Sequence, residues 1–305
     1  MADLHSFEAK LPLATVALDR DYLARNRAEH VSDLLANDST LVLPMNRSRV
    51  LLHTDHSLKL VPPAALPIAE IWIYLGKRLA DDASILLAVV SDEVAALLEP
   101  DSNSWHELRK TGIGLSTDDA AIFTQALALA NWHENHKFCP ACGAVTEVER
   151  SGWVRRCVVD GRELFPRTDP AIIVAVIDDQ ERILLGSQGV WEENRFSILA
   201  GFVEPGESLG AAVVREMQEE AGILVAEPDY LGSQAWPFPF SLMLGFTAKY
   251  VQGVATPDGD EIVKLRWFTR DELKAEASEL ILPGKLTIAR FIIEHWLGEE
   301  LETGS

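Results

Sequence analysis

Residues 201–223 constrain this chain more than any other part of its sequence. They read GFVEPGESLGAAVVREMQEEAGI, a loop followed by a helix for which Ser208 is a fitting N-cap. The helix carries Glu216, Glu219 and Glu220, and residues three or four apart share a helix face. Because neighbouring carboxylates repel one another, this helix needs either full exposure to solvent or a bound cation.

A solvated acidic face would explain the three glutamates alone. A divalent cation would also explain the loop before them. Hard ions such as Mg²⁺ take oxygen ligands and usually keep positions for waters and substrate phosphates. Gly201 and Gly206 leave the loop free to approach a ligand closely, and Arg215 can pair with Glu207 to hold that loop in place.

The spacing of these residues favours the cation. The stretch fits the pattern Gly, five residues, Glu, seven residues, Arg-Glu-apolar-any-Glu-Glu-any-Gly-apolar at Gly201, Glu207, Arg215, Glu216, Met217, Glu219, Glu220, Gly222 and Ile223. A chance match in a chain of this length has a probability of about one in ten million. The stretch resembles the box of the Nudix hydrolases. That resemblance implies metal-assisted attack of water on a diphosphate joined to another group, which suits the chemistry of divalent ions.

The resemblance also implies roles for individual residues. Glu216 and Glu220 look like the principal ligands of Mg²⁺ or Mn²⁺, with Glu219 as a further ligand or a water-activating base. The backbone carbonyl of Ala200 and the carboxylate of Glu261, in DGDEIVKLRWF, look like additional ligands. By itself, Glu261 would more often be an ordinary carboxylate at the edge of a turn. The general base varies within the superfamily and is not assigned to one glutamate.

A second motif bears on the substrate. SQAWPFPFS, residues 233–241, is similar to the Ser-Gln-Pro-Trp-Pro-Phe-Pro-any-Ser motif of the NADH pyrophosphatase branch, with Ala235 in place of a proline. A proline-rich loop that packs its rings into a core is the alternative for PFPF by itself. The position after the box favours substrate binding by Gln234, Ala235, Trp236, Pro237, Phe238, Pro239, Phe240 and Ser241.

The chemistry of this motif suits a dinucleotide. The prolines restrict the backbone, Trp236 and Phe238 offer stackable surfaces, and Gln234 and Ser241 offer hydrogen bonds. Ala235 loosens the first turn and frees Gln234 from its pre-proline restriction. We therefore expect an activity that is weakened but not abolished.

Flanking segments extend the resemblance from about residue 131 to the C-terminus, and only weakly into the N-terminal region. By matching position, Phe165 and Phe202 look like rings that stack on the nicotinamide base, and Ala289 like a backbone contact to the substrate. Core packing is the competing interpretation for Phe165. In this family the site is completed across a homodimer interface, so the resemblance implies a homodimer.

The three cysteines, Cys139, Cys142 and Cys157, lie in one short region, which indicates metal binding rather than a disulfide framework. The family carries two Cys-x-x-Cys pairs, but the second pair here reads CVVD and ends at Asp160. Asp160 or His136 could supply a fourth ligand to Zn²⁺. Three thiolates at ribbon spacing favour a structural zinc, and a ribbon that has lost its metal is the alternative.

The patterns predict an α+β protein with a Nudix fold, a mixed sheet with flanking helices, preceded by a mixed, strand-rich domain. We assign residues 1–130 to an N-terminal α+β domain, 131–167 to a zinc-ribbon-like module and 168–305 to the Nudix hydrolase domain. A helix near the end of the first domain is expected to use Thr117 as its N-cap, with Asp118 and Asp119 in its first turn.

Charge and hydropathy limit the partners. The net charge is −20, from 47 acidic and 27 basic residues, so broad attraction to nucleic acid or anionic lipid is not expected. No apolar stretch approaches the roughly 18 to 20 residues of a membrane span, and the first residues do not resemble a secretory signal, so no membrane partner is expected. A cytoplasmic location is the expectation.

These inferences favour one function over two others. We expect hydrolysis of the pyrophosphate of NADH or NAD⁺ to nicotinamide mononucleotide and AMP. The same branch includes enzymes that remove NAD caps from RNA 5′ ends, an activity that would engage capped RNA mainly through the cap. The alternatives are a hydrolase of ADP-ribose or another nucleoside diphosphate, and a catalytically weak NAD(H)-binding sensor.

Overall fold

The computed structural model describes residues 7–66 and 68–301. These residues form two compact units. The N-terminal unit comprises those in Thr15–Thr168 and Trp236–Phe240, and the C-terminal unit those in Met1–Ala14, Asp169–Ala235 and Ser241–Ser305. The predicted ribbon therefore shares a unit with the N-terminal sheet, and residues 7–14 belong to the C-terminal unit. The division of the sequence into three modules stays our proposal.

The N-terminal unit is built on a mixed sheet of six strands in the order β1-β4-β5-β2-β3-β6. The strands are β1 (Leu18–Asp19), β2 (Leu41–Asn46), β3 (Arg49–Leu51), β4 (Ile71–Arg78), β5 (Ser84–Val89) and β6 (Trp105–Glu107). The two central strands, β2 and β5, pair in parallel and are almost wholly buried, as expected for a strand-rich domain. Its helices are α1 (His30–Leu35), α2 (Asp92–Leu98), α3 (Leu108–Thr111) and α4 (Thr117–Asn135).

The start of α4 corrects one prediction. Ser116, not Thr117, is the N-cap, because the Ser116 side chain accepts a hydrogen bond from the Asp119 backbone N–H at 3.1 Å. Thr117 is the first helical residue. Asp118 and Asp119 lie in the first turn as predicted, where their negative charges interact favourably with the positive end of the helix dipole.

The ribbon is a small antiparallel sheet that a buried polar network stabilises. Its strands are β7 (Thr146–Glu149), β8 (Val154–Cys157) and β9 (Glu163–Leu164). His133, from α4, accepts a hydrogen bond from Arg155 at Nδ1 (3.0 Å) and donates from Nε2 to the Gly152 carbonyl (2.8 Å). Arg155 also donates to the Thr146 hydroxyl and carbonyl, at 2.6 and 2.8 Å. The ribbon is therefore held against α4 independently of any metal.

The C-terminal unit has a sheet in the order β13-β14-β10-β11-β15, with β12 pairing to β10. The strands are β10 (Asp169–Ile177), β11 (Ile183–Gln188), β12 (Leu199–Phe202), β13 (Ile223–Trp236), β14 (Ser241–Gly253) and β15 (Ile262–Phe268). The helices are α5 (Leu209–Ala221), α6 (Arg270–Glu276) and α7 (Ile288–Leu297).

Strand β10 shows how this sheet is covered. It pairs in parallel with β14 and antiparallel with β11 and β12. Its alternate residues point to opposite faces: Ile172 and Val174 pack with α5, and Ile173 and Ala175 pack with α7. The prediction of an α+β unit, a mixed sheet with helices on its faces, is confirmed.

No helix within residues 7–66 and 68–301 is both long enough and apolar enough to cross a lipid bilayer.

Candidate active site

Helix α5 carries the centre of the site. It starts after Ser208, whose hydroxyl accepts from the Ala211 N–H at 3.3 Å, and it ends at Gly222 with φ of 67°. Its apolar face packs into the core, and two of its glutamates are buried there as well. Glu216 is 9% exposed and Glu220 is 5% exposed. Glu219, on the outer side, is exposed.

Glu220 has an environment that disfavours its charge. Burial, and then the carboxylates of Glu261 and Glu216, raise its pKa to about 8. Its Oε2 atom is buried and has no hydrogen-bond partner among the described residues. Burial also raises the pKa of Glu216, partly offset by Arg215. A buried acceptor without a donor, among like charges, fits a cation as its missing partner.

Arg215 fixes the preceding loop and two of the carboxylates. Its guanidinium donates to Glu207 at 2.6 and 3.1 Å and to the Phe202 carbonyl at 2.9 Å. It also donates to Glu216 at 2.9 Å and to Glu219 at 2.8 Å. One planar group thereby sets the positions of the loop and of two helix carboxylates.

The backbone of strand β12 lies directly against a side chain of helix α5 at Gly201. A Cβ atom on Gly201 would lie 2.0 Å from the carboxyl carbon of Glu216, so only glycine lets the strand and this side chain approach so closely. The neighbouring Ala200 is fixed by pairing with Ile173 of β10. The structure thus puts the residue predicted to supply a carbonyl ligand next to the glycine that borders Glu216.

Glu261 is presented by a structured turn before β15. Its carboxylate accepts from Gln188 Nε2 at 3.0 Å, and its backbone N–H donates to Asp258 at 3.3 Å. Asp258 also accepts from the Ile262 N–H at 2.8 Å. Neither Gln188 nor Asp258 was predicted from the sequence. The turn residues PDGD could have indicated Asp258, whereas nothing near Gln188 indicates its contact.

The side chain of Gln234 is directed into the protein. It is 1% exposed. Its Nε2 group donates to the carbonyls of Pro12 (2.7 Å) and Leu286 (2.9 Å), and its Oε1 accepts from the N–H of Ile288 (2.8 Å). Both amide N–H groups are therefore used within the protein, which corrects the expectation that they are offered to a substrate. Any effect of Gln234 on a substrate has to be indirect.

Residues 236–240, the tip of the motif, belong to the N-terminal unit. Asn131 donates from Nδ2 to the carbonyls of Pro237 and Pro239, at 2.9 and 3.3 Å. The rings of Trp236 and Phe238 meet edge to face with centroids 4.8 Å apart. The Arg109 guanidinium lies 4.4 Å from the Phe238 centroid and 5.5 Å from that of Trp236. Neither Asn131 nor Arg109 was predicted, because each contacts the motif across more than 100 residues of sequence.

The remaining motif residues and the predicted stacking rings differ in exposure. Ala235, Phe240 and Ser241 are half-buried. Phe165 is 58% exposed and Phe202 is 59% exposed, so each ring presents a free face within its own unit. The exposure of Phe165 excludes core packing, the competing interpretation for this residue.

Ala289 is the second residue of α7, and its side chain is buried. It directly follows Ile288, whose N–H is bonded to Gln234. A contact of Ala289 with substrate through its backbone, as the resemblance implies, stays a prediction.

The predicted metal residues of the ribbon come together. One ligand atom each from Cys139, Cys142, Cys157 and Asp160 lies within 4.8 Å of the others. Asp160 Oδ2 is 3.8 Å from the Cys139 sulfur, and the sulfurs of Cys142 and Cys157 are 3.4 Å apart. His136 is not a member of this cluster, since its Nδ1 bonds to the Trp132 carbonyl at 2.9 Å. Of the two candidates for a fourth ligand, the structure favours Asp160.

Three domain families match consecutive parts of the chain. A rudimentary NUDIX domain like that of NADH pyrophosphatase matches residues 39–132, the NADH pyrophosphatase zinc ribbon domain residues 134–165, and the NUDIX domain residues 167–288. The resemblance extends only weakly into the N-terminal region at the level of sequence motifs, because that region carries no catalytic pattern, and the match to residues 39–132 strengthens it.

The chain is also similar to individual proteins. It is 45% identical over 203 residues to the NAD-capped RNA hydrolase NudC of Mycobacterium tuberculosis, covering 61% of this chain and 63% of that protein. It is 36% identical over 197 residues to the human NAD-capped RNA hydrolase NUDT12, covering 60% of this chain and 43% of that protein. The match thus spans less than two thirds of either relative.

Among solved structures, a NUDIX hydrolase from Nitrosomonas europaea aligns with a TM-score of 0.44 and 19% identity, over 55% of this chain and 97% of that one. The order of the three matched domains, together with the two sequence relatives, leads to one conclusion. The chain belongs to the Nudix hydrolase superfamily, in its NADH pyrophosphatase branch.

Proposed function

We propose that this protein hydrolyses the pyrophosphate bond of NADH or NAD⁺ to nicotinamide mononucleotide and AMP, with Mg²⁺ or Mn²⁺, and that it removes NAD caps from RNA 5′ ends. The observation that carries the proposal is the state of Glu220. A buried carboxylate with an unpartnered oxygen and like-charged neighbours is costly, unless a cation and its anionic ligand complete the site.

The ion would be held by oxygen atoms that the chain brings to this region. They are the carboxylates of Glu216, Glu219, Glu220 and Glu261 and the carbonyl of Ala200. Bound there, divalent ions neutralise phosphate charge and activate water. Arg215 orients Glu216 and Glu219, and Asp258 shapes the turn that presents Glu261. Glu219 remains a candidate for either a further ligand or the water-activating base.

The choice of a dinucleotide rests on the second motif and on two rings. Phe165 and Phe202 have free faces on which a base can stack, at a gain of roughly 1 to 3 kcal/mol per base. The names of the two relatives, both NAD-capped RNA hydrolases, support an NAD end as the recognised group. With a net charge of −20, the protein would bind capped RNA mainly through the cap, so decapping should depend weakly on salt.

The ribbon is proposed to hold a structural Zn²⁺. Three cysteine sulfurs and one carboxylate oxygen form a complete set of four ligands, which is the closed arrangement of structural zinc sites. The match to the NADH pyrophosphatase zinc ribbon domain supports this proposal.

We also propose a homodimer that acts in the cytoplasm. The dimer is what membership of this branch implies. Sedimentation of the purified chain tests the first proposal, since a monomer at micromolar concentration would contradict it.

One experiment tests the central proposal. Purified protein is incubated with NADH, NAD⁺, ADP-ribose and NAD-capped RNA under Mg²⁺ or Mn²⁺, and the products are separated. Release of AMP and nicotinamide mononucleotide is expected from the wild type and not from Glu220→Gln. The matched control is Gln218→Ala, an exposed position on the same helix that should retain wild-type rates.

The other outcomes identify the alternatives. Faster hydrolysis of ADP-ribose than of NADH under both metals would indicate a nucleoside-diphosphate hydrolase. Binding of NADH without release of AMP under either metal would indicate an NAD(H)-binding sensor. Either outcome contradicts the proposed function.

A further inference from the structure

The segment of residues 7–12, which we call the N-terminal segment, lies outside the three matched domains yet packs into the C-terminal unit. Phe7 and Leu11 are buried in the core that includes Ile292 and Trp296 of α7. The Phe7 ring meets the His295 ring edge to face, with centroids 5.5 Å apart. These contacts anchor the segment to α7.

Between its two anchors, the N-terminal segment forms hydrogen bonds with the start of residues 233–241, which we call the substrate motif. One oxygen of Glu8 accepts from the backbone N–H of Ser233 at 2.8 Å and from its hydroxyl at 2.6 Å. Ser233 lies on β13, which is at the edge of its sheet, so Glu8 supplies a partner that no further strand provides. Bonds to an ionised acceptor are among the stronger hydrogen bonds in proteins.

The backbone is adapted to this contact at Gly232. A Cβ atom there would lie 3.2 Å from both the Glu8 Cβ and the Phe7 ring. That distance is tighter than ordinary packing, so glycine allows the N-terminal segment to lie directly on β13.

The side chain of Gln234 connects the N-terminal segment to α7. The Pro12 carbonyl accepts one N–H of Gln234 at 2.7 Å, and the other N–H bonds to the Leu286 carbonyl at 2.9 Å. The Gln234 oxygen accepts from the N–H of Ile288, the first residue of α7. The buried amide thus joins three separate pieces of chain at a point next to Ala289.

We propose that the N-terminal segment is a positioning element for the substrate motif, with Glu8 as its principal positioning residue. Glu8 and the Pro12 carbonyl hold Ser233 and Gln234 in register, and Gln234 in turn fixes the first turn of α7. The segment then sets the shape of the substrate motif. This inference rests on the proposed function, because the motif is a substrate site only if that function is correct.

The test compares Glu8→Ala with Lys10→Ala, a matched exposed position in the same segment. Steady-state rates on NADH separate the two kinds of role. If Glu8 positions the motif, KM for NADH should rise about fivefold to tenfold and kcat should stay within about twofold. A variant that merely unfolds more easily loses active enzyme, which lowers kcat and leaves KM unchanged. Lys10→Ala should match the wild type in both values.

Glu8→Gln keeps an acceptor oxygen of the same length and should recover most of the loss. It also keeps the inference testable if Glu8→Ala does not fold. A rise in KM for Lys10→Ala equal to that for Glu8→Ala, or a fall in kcat alone for Glu8→Ala, would overturn the inference.

A second readout does not depend on hydrolysis. Amide hydrogen exchange in peptides covering residues 233–236 and 286–290 should increase at least about tenfold in Glu8→Ala and stay unchanged in Lys10→Ala. Unchanged exchange in both peptides would overturn the inference. If the wild type does not cleave NADH, the proposed function fails, while the exchange experiment still decides whether Glu8 holds the motif.

Discussion

The two clusters of proposed metal ligands, one in each unit, are assembled in different ways. The cysteine cluster comes from two short turns, residues 139–142 and 157–160, which together supply all four ligand atoms within 4.8 Å. The carboxylate cluster draws on β12, α5 and the turn before β15. Arg215 holds two of its glutamates, and Gln188 and Asp258 hold Glu261. Local chain geometry makes the first cluster, whereas the folded sheet makes the second.

The two clusters should therefore respond differently to the loss of one ligand. In the ribbon, the ligands themselves hold the turns together once a metal binds, so losing one ligand should destabilise the local fold. On α5, the apolar core holds the helix whether or not a metal is present, so losing one ligand should remove activity and leave the fold intact.

The largest effect is expected for Glu220→Gln. The substitution keeps the size of the side chain and removes its charge, so kcat/KM for NADH should fall by about 10²- to 10³-fold. Because this oxygen has no hydrogen-bond partner to lose within the described part of the chain, the melting temperature should stay close to that of the wild type. A loss below tenfold, with Gln218→Ala as the reference, would contradict the placement of a metal ligand at this position.

In the ribbon, Cys142→Ser should reduce zinc binding and the stability of the fold, rather than activity alone. Zinc content measured on chelator-free protein should fall from near one per chain to near zero, and the free energy of unfolding should decrease by about 3 kcal/mol or more. Asp160→Cys, which completes a set of four thiolates, should retain zinc against a chelator better than the wild type. Wild-type protein expressed with added zinc that contains none would refute the proposed site.

The network that holds the ribbon to α4 predicts a dependence of stability on pH. Burial lowers the pKa of His133 to about 4, from an ordinary value of 6.5. Above pH 6.5 the imidazole is neutral in both states. Between 6.5 and 4 the unfolded chain binds a proton that the folded chain does not, so stability should fall as pH decreases across this window, by up to about 3 kcal/mol.

Urea unfolding of the wild type and His133→Gln at several values of pH measures this effect. Glutamine can accept a hydrogen bond from Arg155 and donate one to the Gly152 carbonyl, so the variant should keep the fold. It should lose the part of the pH dependence of the unfolding free energy that is due to His133. Since release of zinc at low pH affects both proteins, their difference isolates the histidine. Equal slopes in the two proteins would contradict the prediction.

The smallest effect is expected for Ala235→Pro. Proline at this position restores the family motif and restricts Gln234. A reduction of about 0.4 to 1 kcal/mol in the cost of ordering the loop corresponds to a gain of roughly twofold to fivefold in kcat/KM for NADH. An unchanged efficiency, within error, would show that Ala235 does not weaken the site.

Much of the fold and of the site could be predicted where the signal is local. The helix of residues 209–221, its N-cap at Ser208 and the closeness of its glutamates along the chain follow from local sequence, whereas the burial of two of them and the exposure of Glu219 do not. The clustering of Asp160 with the three cysteines follows from two short turns in a similar way. The N-cap of α4 was misplaced by one residue, because Ser116 and Thr117 are adjacent and both suit the position.

Contacts between distant parts of the chain could not be predicted. Glu8 bonds to a residue 225 positions away, and Asn131 to one 106 positions away. Gln234 was expected to offer its amide to a substrate, and only the folded structure shows that both N–H groups are used by backbone carbonyls. The residue types at these positions are compatible with many partners, so the sequence does not select one.

The spacing of residues along the chain fixed the chemistry available to this protein: a helix with three neighbouring carboxylates, three cysteines with Asp160 or His136 as a fourth zinc-type ligand, and an aromatic, proline-rich motif. Each depends on spacings of a few residues, over which the backbone geometry of helices and turns is fixed by steric limits. Three features depend instead on the folded chain: Glu220 Oε2 is buried without a hydrogen-bond partner among the described residues, Glu261 lies near Glu220, and residues 7–12 support β13. These features arise when remote segments share one core, and their energies come from burial and charge in that core.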